Sequence, residues 1–190
     1  IQEDFRRASF PIDRSGTMHR FLFTPGGPQT EVVPRFELRD RVETSSVVVL
    51  KDSVILQTTA YAGFERFAER LAMALKSVFT RTEHERFGVV QRIGLRYVNV
   101  IVPPEGDDHR TYLRPGLHGL SSDVFLPGRQ LLHLENAGQT KVDEGEGTLV
   151  VRISQDESGA CLPSDLVGGT PRYVPPAASG KLVTFVDFDH

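Results

Sequence analysis

Asp187, Asp189 and His190 fall together in the run Phe185-x-Asp187-x-Asp189-His190, and on an extended strand residues two apart face the same way. Two carboxylates aimed in one direction could share a hard divalent cation and support metal-assisted hydrolysis or phosphoryl handling. Two ligands are too few to hold such an ion, and the spacing supplies no third acidic position, so a polar strand end accounts for the run more simply. His19, His84, His109, His118 and His133 are scattered without His-x-x-x-His or comparable spacing, so no zinc site is preorganised. Arg92 and Arg96 flank Ile93-Gly94-Leu95 and offer paired guanidinium donors to an anion or to a partner's carboxylate. With Tyr97 they form the candidate binding surface, although a solvated strand face explains the same residues.

Other chemistries lack their signatures. There is no Gly-x-Ser-x-Gly elbow, and Ser121-Ser122, near His118 and Asp123, have no strand-turn-helix context. Pro25-Gly26-Gly27-Pro28 lacks the Gly-x-Gly-x-x-Gly spacing and the following helix that would cradle a phosphate, so no cofactor is expected. Asp143, Glu144 and Glu146 make a short acidic loop, which reads as the solvated tip of a hairpin. Cys161 is the only cysteine, which excludes an intramolecular disulfide and a Cys-cluster zinc site and suits a reducing compartment.

These residues sit in an ordinary globular composition, 39% hydrophobic and 25% charged, in a chain of 190 residues. A net charge of −3 provides no basic field for a phosphate backbone, so nucleic acid is not a favoured partner. No apolar run reaches the roughly 18 residues of a membrane helix, and no signal-peptide pattern opens the chain, which leads to a cytoplasmic expectation. The chain opens at Ile1 and stops after an apolar run, which predicts a fragment cut at both ends.

The elements that must position the candidates follow from periodicity. Gln2 to Ala8 is helix-compatible and Phe10-Pro11 ends it. His19 to Thr24 reads as a strand with Phe21 and Phe23 on one face, stopped by the Pro25–Pro28 turn. In Glu31 to Asp40, Val32, Phe36 and Leu38 alternate with Glu37 and Arg39, and Pro34 places this strand at an edge or a bulge. Val47 to Leu50 and Val54 to Thr58 form a hairpin about Lys51-Asp52-Ser53. From Gly63 to about Phe79, Phe64, Phe67, Ala68, Leu71, Ala74, Leu75 and Val78 recur at helical spacing, the stripe of an amphipathic helix laid on a sheet.

Beyond it, Val89 to Val102 reads as a long central strand with a bulge near Tyr97-Val98-Asn99. Tyr112 to Gly128 is rich in turn formers, which suits irregular structure or a short helix. Gln130 to Ala137, Gly147 to Ser154 and Lys181 to Phe188 are three further strands, the first two joined by a loop over Gly138 to Glu146. Gln155 to Gly180, with four prolines and four glycines, is expected to be a mobile segment or lid. The fold expected is α+β, antiparallel sheets packed on one long amphipathic helix, in one domain over residues 1–190.

The run Gln91-Arg92-Ile93-Gly94-Leu95-Arg96-Tyr97-Val98-Asn99 resembles a segment of a sporadically distributed family of uncharacterised bacterial proteins. So do the preceding helix with Phe64 and Phe67, the strand ending Leu56-Gln57-Thr58-Thr59-x-Tyr61, and the Phe185–His190 ending. The resemblance spans about Phe5 to His190, with Arg-Ile-Gly-Leu-Arg-Tyr its most specific part. It implies bacterial origin, flanking elements outside this chain, and a link to defence or toxin-related systems; it carries no catalytic residues over. The function expected is therefore a non-enzymatic binding module that meets a protein partner or another copy of itself near Arg92, Arg96 and Tyr97. The alternatives are a metal-dependent enzyme built on Asp187 and Asp189, and a small-ligand pocket lined by Phe64, Phe67 and Tyr97.

Overall fold

The structure, a computed structural model, describes residues 3, 5, 10–79, 90–118, 133–142, 147–156, 171, 173 and 183–190. It is α+β, with two antiparallel sheets and one long helix among the described residues. Its contacts divide the chain into two compact units, Ile1–Val89 with Gly168–Tyr173, and Val90–Val167 with Val174–His190.

The first unit holds β1 (Ile12–Asp13), β2 (Gly16–Thr24), β3 (Gly27–Arg39), β4 (Ser45–Val49), β5 (Val54–Thr58) and α1 (Phe64–Phe79). The sheet runs β1-β3-β4-β5, with β2 on the outer part of β3. β2 and β3 meet through a two-residue turn, Pro25-Gly26, closed by the Thr24–Gly27 pair with Gly27 at φ +106°. Glycine supplies that positive φ without a Cβ clash, so the ladder starts at Gly27 instead of Glu31, and Pro28 is part of it. The register runs unbroken from Thr24↔Gly27 to Gly16↔Arg35, so Pro34 marks no bulge. From Gly27 to Arg35, β3 has only β2 beside it among the described residues, which is the edge position that proline tolerates.

The predicted hairpin is present as β4 and β5, and Leu50 N–H donates to the Ser53 carbonyl at 2.8 Å in its turn. Helix α1 covers one face of this sheet. Its first hydrogen bond runs from Phe67 N–H to the carbonyl of Gly63, which sits at φ +117°. Ala74 and Val78, with Phe67 and Leu71, pack on Leu38, Val47, Leu56, Phe5 and Phe10. At the sheet end, Arg70 donates to Ser45 Oγ at 2.9 Å and stacks its guanidinium 4.9 Å over Phe10. Phe64 departs from the predicted stripe: it lies on the first turn of the helix and is exposed.

The second unit holds β6 (Arg96–Ile101), 3₁₀ turns at His109–Tyr112 and Pro115–Leu117, β7 (His133–Lys141), β8 (Thr148–Asp156) and β9 (Val183–Asp189). The order is β6-β9-β8-β7. The long strand expected over Val89 to Val102 is therefore corrected twice. Among the described residues only Arg96–Ile101 of that stretch is strand, and it lies at the sheet's edge, with β9 and β8 central. Its pairing with β9 is continuous, without the bulge expected near Tyr97. The loop expected over Gly138 to Glu146 is also shorter, because β7 and β8 stay paired out to Lys141↔Thr148. The Gln155–Gly180 segment lies almost wholly outside the described residues, as do Ser121, Ser122, Asp123, Cys161, His84 and the acidic loop 143–146. Val183 and Phe185 make the core with Val98, Val100 and Val102, and Ile153 and Val186 are buried as well.

Candidate functional site

Register places the two predicted carboxylates. β9 alternates, so Phe185, Asp187 and Asp189 share one face; on it Asp187 lies opposite Val98 of β6 and Arg152 of β8, and Asp189 opposite Arg96 and Val150. Arg96 reaches diagonally and donates Nε to Asp187 Oδ1 and Nη2 to Oδ2, both at 2.8 Å. Arg152 donates Nη1 to Oδ2 at 3.1 Å and lies 4.0 Å from Asp189 Oδ2. The Asp187 carboxylate is thus buried and clamped from both neighbouring strands, bidentately by the guanidinium whose planar fork fits a carboxylate. Both its oxygens are engaged by cations, so a divalent ion there would have to displace an arginine. Among the described residues no group of three His, Cys, Asp or Glu is placed to hold a metal ion.

Arg92, Arg96 and Tyr97 do not converge. Arg92 lies in the irregular stretch before β6 and is exposed; Arg96 and Tyr97 are successive residues of an extended strand and point to opposite faces. His118 is held as a turn residue, its Nε2 2.9 Å from the Leu113 carbonyl oxygen and 3.0 Å from that of Arg110. In the first unit a groove of about 650 Å³ opens between α1 and β5, lined by Leu56, Thr58, Tyr61, Phe67, Arg70 and Met73 among others. It includes Phe67 but neither Phe64 nor Tyr97, and Tyr97 belongs to the other unit.

A surface not singled out in the sequence lies on the β2–β3 ribbon. Paired residues share a face, which puts Thr17, His19, Phe21 and Phe23 of β2 beside Pro34, Val32, Thr30 and Pro28 of β3 on one side. Phe36, further along β3 and in phase with Val32 and Pro34, lies on the same side. Phe21 is 70% exposed, Phe23 90%, Val32 56% and Phe36 55%. Arg20, Glu31 and Arg35 all lie on the opposite side, where Arg20 donates Nη1 and Nη2 to the Asp52 carboxylate at 2.8 and 3.2 Å and ties the ribbon to the β4–β5 turn. The Arg20 hydrogen bond holds the Asp52 carboxyl below the usual carboxylate range. One face of the ribbon therefore carries its Arg and Glu residues beside Met18, Leu22 and the buried Val33, and the other carries the exposed Phe21, Phe23, Val32 and Phe36 and no Asp, Glu, Lys or Arg.

Comparison with protein-family models, with curated proteins and with solved structures found no match. The geometry alone carries the functional argument.

The signal for the bare face was present in the alternation of Phe21 and Phe23, and of Val32 and Phe36. Alternation reports that one side of a strand is apolar; it does not report whether anything lies on it. Among the described residues no helix is long and apolar enough to cross a membrane.

Proposed function

We propose that this chain is a non-enzymatic interaction module whose contact surface is the apolar face of the β2–β3 ribbon. The observation that carries the reading is the run of Phe21, Phe23, Val32 and Phe36, more than half exposed on one uncharged face while the charges of the ribbon are assigned to the other. Exposed apolar area of that extent, contiguous and rimmed by polar groups, is characteristic of surfaces that meet another macromolecule. Arg92 is a candidate for a separate, polar contact. The bacterial family resemblance, the link to defence or toxin-related systems, one domain over the chain and a cytoplasmic setting belong to the same proposal.

Metal-assisted hydrolysis at Asp187 and Asp189 is the weaker reading, because two guanidinium groups already neutralise Asp187. The test is affinity capture from native cells with the wild-type chain and with Phe21→Ser/Phe23→Ser. A stoichiometric protein held by the first and lost by the second is expected. If both chains retain the same set of proteins, the ribbon is not the contact surface.

A further inference from the structure

Resting on that reading, we propose that the apolar ribbon face is covered by the same face of a second copy of this chain, two ribbons packing face to face about a two-fold axis. Three observations select this occupant.

The first is what the face lacks. Thr17, His19, Phe21, Phe23, Pro28, Thr30, Val32, Pro34 and Phe36 include no Asp, Glu, Lys or Arg. An isologous contact sets each residue's surroundings against themselves, so a face carrying charge of one sign would repel its copy. This face meets its copy without burying an ion, and the ribbon's own ions, Arg20, Glu31 and Arg35, stay on the outside.

The second is area. At about 200 Å² for a phenylalanine, the exposed parts of Phe21, Phe23 and Phe36 leave about 400 Å² of ring in water. Val32, the two prolines, His19 and the threonines bring the face to the order of 800 Å², the share of each partner in a stable interface.

The third is continuity. Phe36 and Leu38 point to the same side of β3, and Leu38 lies under α1 in the core. The bare face is the outward extension of the helix-covered face, and among the described residues no second layer, which an apolar sheet face requires, lies on it. A two-stranded ribbon is marginal alone in water, and a facing ribbon would complete a two-layer packing at about 10 Å separation. Sheet packed on sheet joins like surfaces, and a second copy supplies a face of the same length, width and polarity.

Sedimentation velocity on the full chain from about 1 to 100 µM, the range separating transient from stable pairs, tests this. A concentration-dependent dimer is expected. Phe21→Ser/Phe23→Ser should raise its dissociation constant at least about a hundredfold, with the far-ultraviolet circular dichroism unchanged because both rings are exposed in the single chain. Val32→Lys, which brings like charges together when the faces meet, should also give monomers, and mixing it with Val32→Glu should restore pairing. A wild type that stays monomeric throughout, or a dimer that both ribbon variants retain, overturns the proposal. If the wild type is monomeric yet loses a different protein partner on Phe21→Ser/Phe23→Ser, the second copy is ruled out and the interaction reading stands. If the dimer and the captured proteins both ignore these substitutions, the two readings fall together.

Discussion

Asp187 shows how a single side chain changes meaning once its neighbours are known. Alone in the sequence it is half of a carboxylate pair; between β6 and β8 it is the acceptor for Arg96 and Arg152. Removing it would leave two partly buried guanidinium groups without their counter-ion, and breaking such a pair from one side costs more than the pair contributes. Asp187→Ala is expected to lower stability by about 2–4 kcal/mol, against about 1 kcal/mol for the more exposed Arg152→Ala, both read from urea midpoints. Equal losses would show that the clamp is not organised around the aspartate. In the first unit, Arg39 donates to Glu43 and holds its carboxyl below the ordinary glutamate range. A depressed folded-state pKa contributes stability that is complete above the unfolded value and is lost as pH falls through the folded one. Glu43→Gln should therefore remove that contribution at neutral pH and flatten the acid limb of the stability curve below the ordinary glutamate range, so that the two chains converge in acid; an unchanged acid limb would refute the linkage.

At the scale of elements, α1 was the most legible part of the chain. Its stripe repeats every three to four residues for four turns, a pattern that no strand produces, and its predicted span of Gly63 to about Phe79 matches Phe64–Phe79. Position within the stripe was less legible. Val78 is buried and Phe64 exposed, although both fit the same periodicity: Val78 packs in the cluster with Leu38, Val47 and Leu56, and the stripe alone does not say which of its members reach that cluster. Val78→Ala should cost about 2 kcal/mol, and Phe64→Ser less than about 0.5 kcal/mol, measured by chemical denaturation; the reverse order would mean that the helix docks through another face. The sequence pattern of β6 misleads for a related reason. Val98, Val100 and Ile101 look like the apolar run of a central strand, yet the central place goes to β9, which pairs with both β6 and β8. Strand order is decided by pairing partners some ninety residues away, and local hydrophobicity carries no record of them.

For the molecule as a whole, the question is what its surfaces meet. A net charge of −3 and a carboxylate neutralised by arginines favour neither a polyanion nor a divalent cation. Thermal unfolding with millimolar Ca²⁺, Mg²⁺ or Mn²⁺ is expected to leave the midpoint within about 1 °C of the metal-free value, since a ligand stabilises only through binding the folded state. A rise of several degrees, abolished by Asp189→Asn, would restore the metal-centred reading. Among the described residues the bare ribbon face is the feature that calls for a partner, and its area and lack of charge set the second copy as the first to be tested.

Composition and periodicity alone were enough to establish an α+β chain with antiparallel strands and one amphipathic helix, to locate most strands and turns, and to place Asp187 and Asp189 on one face. These follow from local rules: the two-residue alternation of strands, the 3.6-residue turn of the helix, and the φ values that glycine and proline allow. Folding in three dimensions settled, among the described residues, which strand became an edge, that Asp187 is engaged by Arg96 and Arg152, that Arg96 and Tyr97 point to opposite faces, and that the Phe21–Phe36 face is left uncovered. Each depends on contacts between residues distant in the chain, and a pattern along one strand contains no information about what lies across from it.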